Sequence, residues 1–565
     1  MFVPTRINPA VPRVASSTVD MSSTPCTPFQ NAEENKSQTR HSGTPDIDRS
    51  LCPPLIPPEQ LCTVPCSMLF YTEVSMSYQS AIDHLAAMAP ELAIQTGQTR
   101  RKFSLEEFAV LLQGLSNPHR TFPSVLIAGT NGKGSTAATL AAILTASGLR
   151  TGLYTSPHLS RPNERIRIDG TEISDADFAE KFFRVRSTAQ KLVEEKKLAQ
   201  APSFFETLTA MAFLQFSEPA IEIAVLEVGL GGRLDATNIV DPLLSIITDI
   251  SFDHMEWLGS TISEITREKA GILRNGGTLV TLPQHPEANH VLGEVAMSLS
   301  VLGVSAVPFM PPTEPQLASA PPRLSIAGTV AKLAPSSRNP EQQRTYQVEV
   351  LGQPIEVASP LRGAHQHRNV ALAIAAAVEL AISHGFPVTP ISITEGIRNT
   401  SWPARLERIQ FENPDDSKTR EFILDVAHNP AGAWALRAGL RDLLPDENLG
   451  TLVFSCLRDK PVVEMAQILF PIFEEVIFAP INSTRATPVR DLLAAAASTG
   501  TPAFAAASVG QAIELALEHA QAHPAKPIVV SGSVYLVGDV RTRLLAKTSQ
   551  TAAPSQTAER VGQLP

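Results

Sequence analysis

Val125-Leu-Ile-Ala-Gly-Thr-Asn-Gly-Lys-Gly-Ser-Thr136 is the stretch from which the rest of the chain can be read. The apolar run Val125 to Ala128 predicts a buried strand. Three glycines and a lysine follow, and Ser135 then opens an Ala- and Leu-rich segment that predicts a helix ending at Gly148. A strand, a glycine loop and a helix in succession suit a polyphosphate. Glycines let backbone N–H groups close on phosphate oxygens, a helix N-terminus adds roughly half a positive charge, and Lys133 adds a full one. The stretch departs from the common G-x-x-x-x-G-K-[ST] loop in two places. Ile127 stands where the first glycine belongs, and Gly134 separates Lys133 from Ser135.

Size and charge bound the partners. A chain of 565 residues predicts two or three domains with large cores. Its 46 basic and 56 acidic side chains leave a net charge of −10, which argues against a general nucleic-acid or anionic-membrane surface. An anionic ligand must then be met by a local basic cluster. Cys26, Cys52, Cys62 and Cys66 crowd the first 66 residues and Cys456 stands alone, with neither a disulfide framework nor paired C-x-x-C spacing. No apolar run reaches the ~18 residues a membrane span requires. The expectation is a cytoplasmic protein, acting as a monomer on small molecules.

Residues 1–75 are rich in Pro, Ser and Thr and predict a disordered tail, with Met68 or Met76 as alternative starts. Beyond it, helices are predicted between Tyr78 and Leu115, with Ser104-Leu-Glu-Glu107 as a capping box and the basic run Arg100, Arg101, Lys102 just before it. That run reads either as a solvated turn or as a clamp for an acidic or pterin-bearing substrate. Glu164-Arg-Ile-Arg-Ile168 alternates as an extended segment with its arginines on one face. Ile223–Val228 and Leu243–Thr248 are nearly continuous apolar runs, as parallel strands covered on both faces should be. Polar chemistry follows each strand: Ser156-Pro-His-Leu159, Glu227-Val-Gly-Leu-Gly-Gly-Arg233 and Asp253-His254. Ligands of open α/β sheets collect beyond the carboxyl ends of strands, so Lys133, Ser156, Glu227 and His254 are candidates for one site.

Lys269 is a separate clue. Ile262, Ile265 and Ile272 mark one helical face, and Lys269 fills the gap in that row. A lysine there must snorkel outward, pair with a carboxylate or lose its charge. Residues 311–345 predict a variable loop region, and Trp402-Pro-Ala-Arg-Leu-Glu407 a hinge. From about 410 to 545, strands alternate with helices, which implies a second parallel sheet. Its first strand leads into Asp425-Val-Ala-His-Asn-Pro430 and its last into Ser531-Gly-Ser-Val-Tyr535.

These motifs, in this order, resemble the folylpolyglutamate synthases and bifunctional dihydrofolate synthases of the Mur ligase superfamily, over roughly residues 77 to 545. The resemblance implies an α/β protein. An N-terminal P-loop-type parallel-sheet ATPase domain with the central region (76–408) would be followed by a smaller C-terminal Rossmann-like domain (409–545) and a disordered tail (546–565). The implied activity is ATP-dependent addition of L-glutamate to dihydropteroate, to the γ-carboxylate of reduced folates, or to both, through an acyl phosphate. Carried over by motif, Gly132, Lys133, Gly134 and Ser135 would hold ATP phosphates, with Asn369, Arg405 and Asp425 completing the nucleotide site. Ser156, Glu227 and His254 would bind Mg2+, and Lys269, within Arg267-Glu-Lys-Ala-Gly271, would be carbamylated. His428 and Ser533 would handle glutamate, while Ser203 and Arg101 would lie on the pterin side. Ala404 stands where the family usually has glycine. The competing readings are a peptidoglycan-precursor Mur ligase, a P-loop ATPase that hydrolyses ATP without an amino-acid acceptor, and a catalytically idle binding protein.

Overall fold

The computed structural model describes residues 76–88, 104–219, 221–306, 345–413, 418–444, 449–522 and 524–551. Arg101, the expected tail 1–75 and all but the last residue of the 311–345 region lie outside them.

The first sheet contains β1 (Ser124–Ala128), β2 (Thr151–Tyr154), β3 (Ile166–Ile168), β4 (Thr171–Glu172), β5 (Ile223–Glu227), β6 (Leu244–Ile247), β7 (Thr278–Thr281) and β8 (Leu302–Ser305), in the order β4-β3-β2-β5-β1-β6-β7-β8. The six strands from β2 to β8 in that order run parallel, and only the edge pairings β2–β3 and β3–β4 are antiparallel. β1 is buried along its whole length. Its side chains alternate between two cores, Val125 and Ile127 entering one, Leu126 and Ala128 the other. A strand covered on both faces needs apolar residues at every position, which is why the run reads as continuous. Helix Lys133–Ala146 covers one face together with Ala364–His384, and Phe204–Ser217 covers the other. A hairpin of β9 (Thr345–Val350) and β10 (Gln353–Ala358) packs on the former side.

The second sheet contains β11 (Glu407–Glu412), β12 (Thr419–Leu424), β13 (Leu449–Phe454), β14 (Phe473–Phe478), β15 (Ala503–Ala505) and β16 (Ile528–Ser531), ordered β11-β12-β16-β13-β14-β15. It is parallel except for β11. Its two faces bury separate apolar cores. The mixed character of both sheets comes from edge strands, where an antiparallel partner needs no covering helix crossover. The last helix runs Val534–Thr551, past the boundary expected at 545, so the first residues of the predicted C-terminal tail are helical. No helix among the described residues is long and apolar enough to cross a membrane.

Candidate active site

The carboxyl ends of β1, β2, β5 and β6 share one edge of the first sheet, and those of β12, β13 and β16 share one edge of the second. Between them lies a cavity of about 1040 Å³, lined from the first lobe by Gly134, Ser156, Ser203, Glu227 and His254, and from the hinge and second lobe by Trp402, Arg405, His428, Lys460 and Ser533.

The phosphate loop is held from beneath. The N–H groups of Thr130 and Asn131 both donate to the Asp249 carbonyl, at 2.8 and 3.3 Å. The Asp249 carboxylate is gripped in turn by the Arg368 guanidinium. Gly132 turns the chain at φ +87, and a Cβ there would stand 2.1 Å from Asn369 Oδ1, so both backbone and space require glycine. Asn369 is fixed by a 2.8 Å bond from its Nδ2 to Gln366 Oε1. Lys133 Nζ folds back to donate to the carbonyls of Gly129 (3.2 Å) and Thr130 (3.1 Å). Lys269 Nζ donates to the same Gly129 carbonyl at 2.8 Å. Of the three fates open to Lys269, snorkelling is excluded. The residue is 4% exposed, and burial, with Lys133 adding repulsion, lowers its pKa to about 7. Ser135 and Thr136, also buried, leave their hydroxyls without a partner among the described residues.

Glu227 ends β5 and accepts from the Ser156 N–H at 3.1 Å. Burial raises its pKa, opposed by Lys133, the Ser156 N–H, Arg405 and Arg165. Arg165 donates to His158 Nδ1 at 2.9 Å and stacks on Phe204, and Arg167 lies over Trp402. Both line the cavity, as the alternation predicted for a common face. Arg161 turns aside to Asp175 and the Tyr78 ring. Arg165 itself closes a short 3-10 turn, so the strand begins only at Ile166.

His254 stands apart from the Ser156–Glu227 pair. It lines the same cavity in a left-handed backbone conformation (φ +49), but its Nε2 faces Lys460 Nζ at 3.4 Å and Asp253 Oδ2 at 3.9 Å. Burial lowers its pKa to about 3, so the imidazole is neutral at pH 7. Asp253 is the centre of this cluster. Its Oδ1 accepts from Lys460 Nζ at 2.6 Å, its Oδ2 accepts from Asn429 Nδ2 at 3.2 Å, and His428 Nε2 lies 3.7 Å away. Burial would raise the Asp253 carboxyl, but Lys460, then His254 and His428, hold it well below its ordinary value. Asn429 Nδ2 also reaches Asn131 Oδ1 in the phosphate loop at 3.0 Å. One knot of polar groups therefore ties the two lobes together.

Arg405 and Asp425 influence each other electrostatically. The Asp425 oxygens accept from the N–H groups of Leu406 (3.0 Å) and Ala427 (2.9 Å). Burial raises the pKa of Asp425, with Arg405 opposing. Ala404, buried beside Arg405, adopts φ +58, a conformation that favours glycine. Ser203 lines the cavity, but its hydroxyl is taken up as the N-cap of Phe204–Ser217, in a reciprocal capping box with Glu206. Ser533 Oγ accepts from the Tyr535 N–H at 3.2 Å. His428 presents Nδ1 to the Val426 carbonyl at 2.8 Å.

The sequence reading missed Lys460, Trp402 and the bridging role of Asp253 and Asn429. Lys460 was within reach: Leu457-Arg-Asp-Lys-Pro461 follows β13 as Asp253 follows β6.

The donors in the cavity are compatible with Mg2+. That ion prefers oxygen, keeps several waters, and is usually held by one or two carboxylates together with substrate phosphates. Glu227 is a desolvated carboxylate that a cation would stabilise, and the Ser156 hydroxyl belongs to the residue bonded to it. No cluster of three His, Cys, Asp or Glu side chains suited to a metal exists among the described residues, so the protein alone offers only a partial shell.

Residues 127–305 match the Mur ligase middle domain and 404–534 the Mur ligase glutamate ligase domain. The chain is 33% identical over 476 residues to the folylpolyglutamate synthase of Lacticaseibacillus casei, covering 84% of this chain and all of that one. It is 34% identical to the dihydrofolate synthase/folylpolyglutamate synthase of Mycobacterium tuberculosis, over 79% of this chain and 91% of the relative. Among solved structures it resembles the M. tuberculosis folylpolyglutamate synthase complexed with ADP, with a TM-score of 0.68 at 30% identity over 83% of this chain and 98% of the other. It also resembles E. coli FolC in complex with DHPP and ADP, with a TM-score of 0.66 at 26% identity over 84% and 99%.

Proposed function

Because the chain belongs to the folylpolyglutamate synthase and dihydrofolate synthase family of ATP-dependent ligases, we propose that it joins L-glutamate both to dihydropteroate and to the γ-carboxylate of reduced folates. The observation that carries this reading is the shared cavity. The phosphate loop and the Ser156–Glu227 pair on one wall meet Arg405, His428, Lys460 and Ser533 on the other, which gives room for a nucleotide, a carboxylate substrate and an amino acid together. The other Mur ligases and a P-loop ATPase lacking an acceptor are less well supported, since the relatives matched over most of the chain are folylpolyglutamate and dihydrofolate synthases.

A carboxylate is a poor electrophile, so the substrate carboxylate first attacks the γ-phosphorus of ATP, giving an acyl phosphate and ADP. The glutamate amine then attacks the acyl carbon, and phosphate leaves with the C–O bonding pair. Lys133 and the loop N–H groups stabilise charge on the transferring phosphoryl group. Arg405 adds positive charge from the hinge. Mg2+, which Ser156 and Glu227 would hold, would supply further charge neutralisation. The lobes closing through the Asp253 knot keep water from the acyl phosphate.

Lys269 is suited to carbamylation. A buried amine whose pKa is about 7 is substantially unprotonated at neutral pH and can attack CO2, forming an N–C bond and losing a proton to solvent. The product is an anion beside Lys133. 13C-bicarbonate should give a carbamate carbonyl resonance that is lost in Lys269→Ala.

The test of the function supplies ATP, Mg2+ and glutamate with dihydropteroate or tetrahydrofolate in turn and identifies products by mass. Each acceptor should gain one glutamate. ADP release with neither acceptor consumed would end the ligase reading, and turnover of only one would restrict it.

A further inference from the structure

Gly134, which interrupts the usual lysine-to-serine step of a phosphate loop, has no conformational reason to be glycine. It lies inside the helix Lys133–Ala146 and is not among the residues with positive φ. The reason is space. A Cβ on Gly134 would stand 2.7 Å from Cζ2 of Trp402 and 3.1 Å from its Cε2 and Nε1. The N–H edge of a hinge tryptophan is therefore pressed against the first turn of the phosphate helix, where only glycine leaves room. The ring is also fixed on its face. The Arg167 guanidinium lies 5.7 Å from its centre, and Arg167 is anchored by the Glu164 carbonyl and the Glu172 carboxylate.

A buried indole N–H normally finds an acceptor. Trp402 Nε1 is buried and has none among the described residues. The same is true of the Ser135 and Thr136 hydroxyls, the next two residues of the loop. Trp402 and Gly134 both line the cavity, so the unpartnered indole N–H sits where a ligand with acceptor oxygens could satisfy it.

We propose that Trp402 contacts the nucleotide, its indole N–H donating a hydrogen bond to a phosphoryl oxygen held over the start of the Lys133–Ala146 helix, and that Gly134 is glycine in order to admit it. The inference rests on the placement of ATP at the phosphate loop given above. It makes the hinge a sensor of the phosphates, since Trp402 precedes Arg405 by three residues on the link between the lobes.

The chain has three tryptophans, so the Trp402 indole resonance in a 15N-labelled sample can be assigned by its loss in Trp402→Phe. Mg2+ with the non-hydrolysable analogue AMPPCP should shift that resonance downfield and slow its exchange with solvent. Adenosine, which lacks phosphates, should leave it in place. Trp402→Phe keeps the ring under Arg167 and loses only the donor, so it should weaken AMPPCP and raise the KM for ATP by about 10- to 100-fold, the range for one hydrogen bond to a charged group, while the KM for glutamate stays within about twofold. Gly134→Ala should cost a similar factor in the wild type and nothing further in Trp402→Ala, where the obstructing ring is gone. An unmoved indole resonance with AMPPCP bound, or a Trp402→Phe protein with wild-type affinity, overturns the proposal. AMPPCP binding that is indifferent to Lys133→Ala overturns instead the placement of the nucleotide on which it rests.

Discussion

Lys269→Met, studied in CO2-free buffer, turns the burial of one ammonium into a pH-dependent difference in stability. Lys269 is 4% exposed, and its pKa falls from the ordinary 10.5 to about 7, chiefly through desolvation with repulsion from Lys133 added. The sign follows from where the proton resides. Between pH 7 and 10.5 the unfolded chain holds a proton on this lysine that the folded chain has released, so raising the pH favours the folded state. Below pH 7 both states are protonated and the full penalty of the buried charge is felt. At 1.36 kcal/mol per pH unit, allowing for partial protonation near each end of the window, Lys269 should make the wild type about 2 kcal/mol more stable at pH 9 than at pH 7. Methionine fills much of the same apolar row and does not titrate.

Urea unfolding of both proteins, followed at pH 7, 8 and 9, isolates this quantity because titrating groups that do not interact with Lys269 cancel in the difference. The variant should exceed the wild type in midpoint by most at pH 7, and the gap should narrow by about 2 kcal/mol at pH 9. Parallel curves, with a gap that does not change with pH, would refute the burial argument and with it the claim that Lys269 is poised to react with CO2. Turnover should be crippled in the variant at every pH.

The other outcomes concern the joint between the lobes. Lys460→Met leaves the Asp253 carboxylate buried without its cation, a situation worth ~3–5 kcal/mol, and opening of the cleft is the cheapest relief. Catalytic efficiency toward glutamate should fall by about 10²- to 10³-fold and the radius of gyration by X-ray scattering should rise; a compact, active variant would contradict the bridge. Gly538→Ala places a Cβ 1.9 Å from the Leu159 carbonyl, where the last helix meets the Ser-Pro-His-Leu segment and Thr542 bonds Ser160. Activity should drop at least ~10-fold with nearly unchanged secondary structure by circular dichroism, and full activity would show that this contact is dispensable. Ala404→Gly relieves a left-handed alanine, so after the entropy cost of glycine it should raise stability by ~0.5–1 kcal/mol in the same urea assay, a loss of stability being the contrary result.

What the sequence revealed and what it hid follow from the range of the forces involved. Parallel strands buried on both faces write themselves as unbroken apolar runs, so Ile223–Glu227 and Leu244–Ile247 were found within a residue of their ends. The rule that ligands gather at the carboxyl ends of such strands then selected Lys133, Ser156, Glu227 and His254, each at or beyond the end of its own strand. Ser203 shows the limit of a motif: its hydroxyl has the cap as its partner, a role written in Ser203-Phe-Phe-Glu206, and only its position beside the cavity remains for substrate. Contacts made only when distant segments meet left no such trace. Asp253 and Lys460 are 207 positions apart, and nothing local marks either as half of an ion pair. Gly134 lies between these extremes. Its oddity was visible in the loop, but its cause was the ring of Trp402, supplied by the far end of the lobe. A residue that breaks a local rule without local reason is accordingly a pointer to a tertiary neighbour, and here that neighbour sits three residues before Arg405 on the link between the lobes.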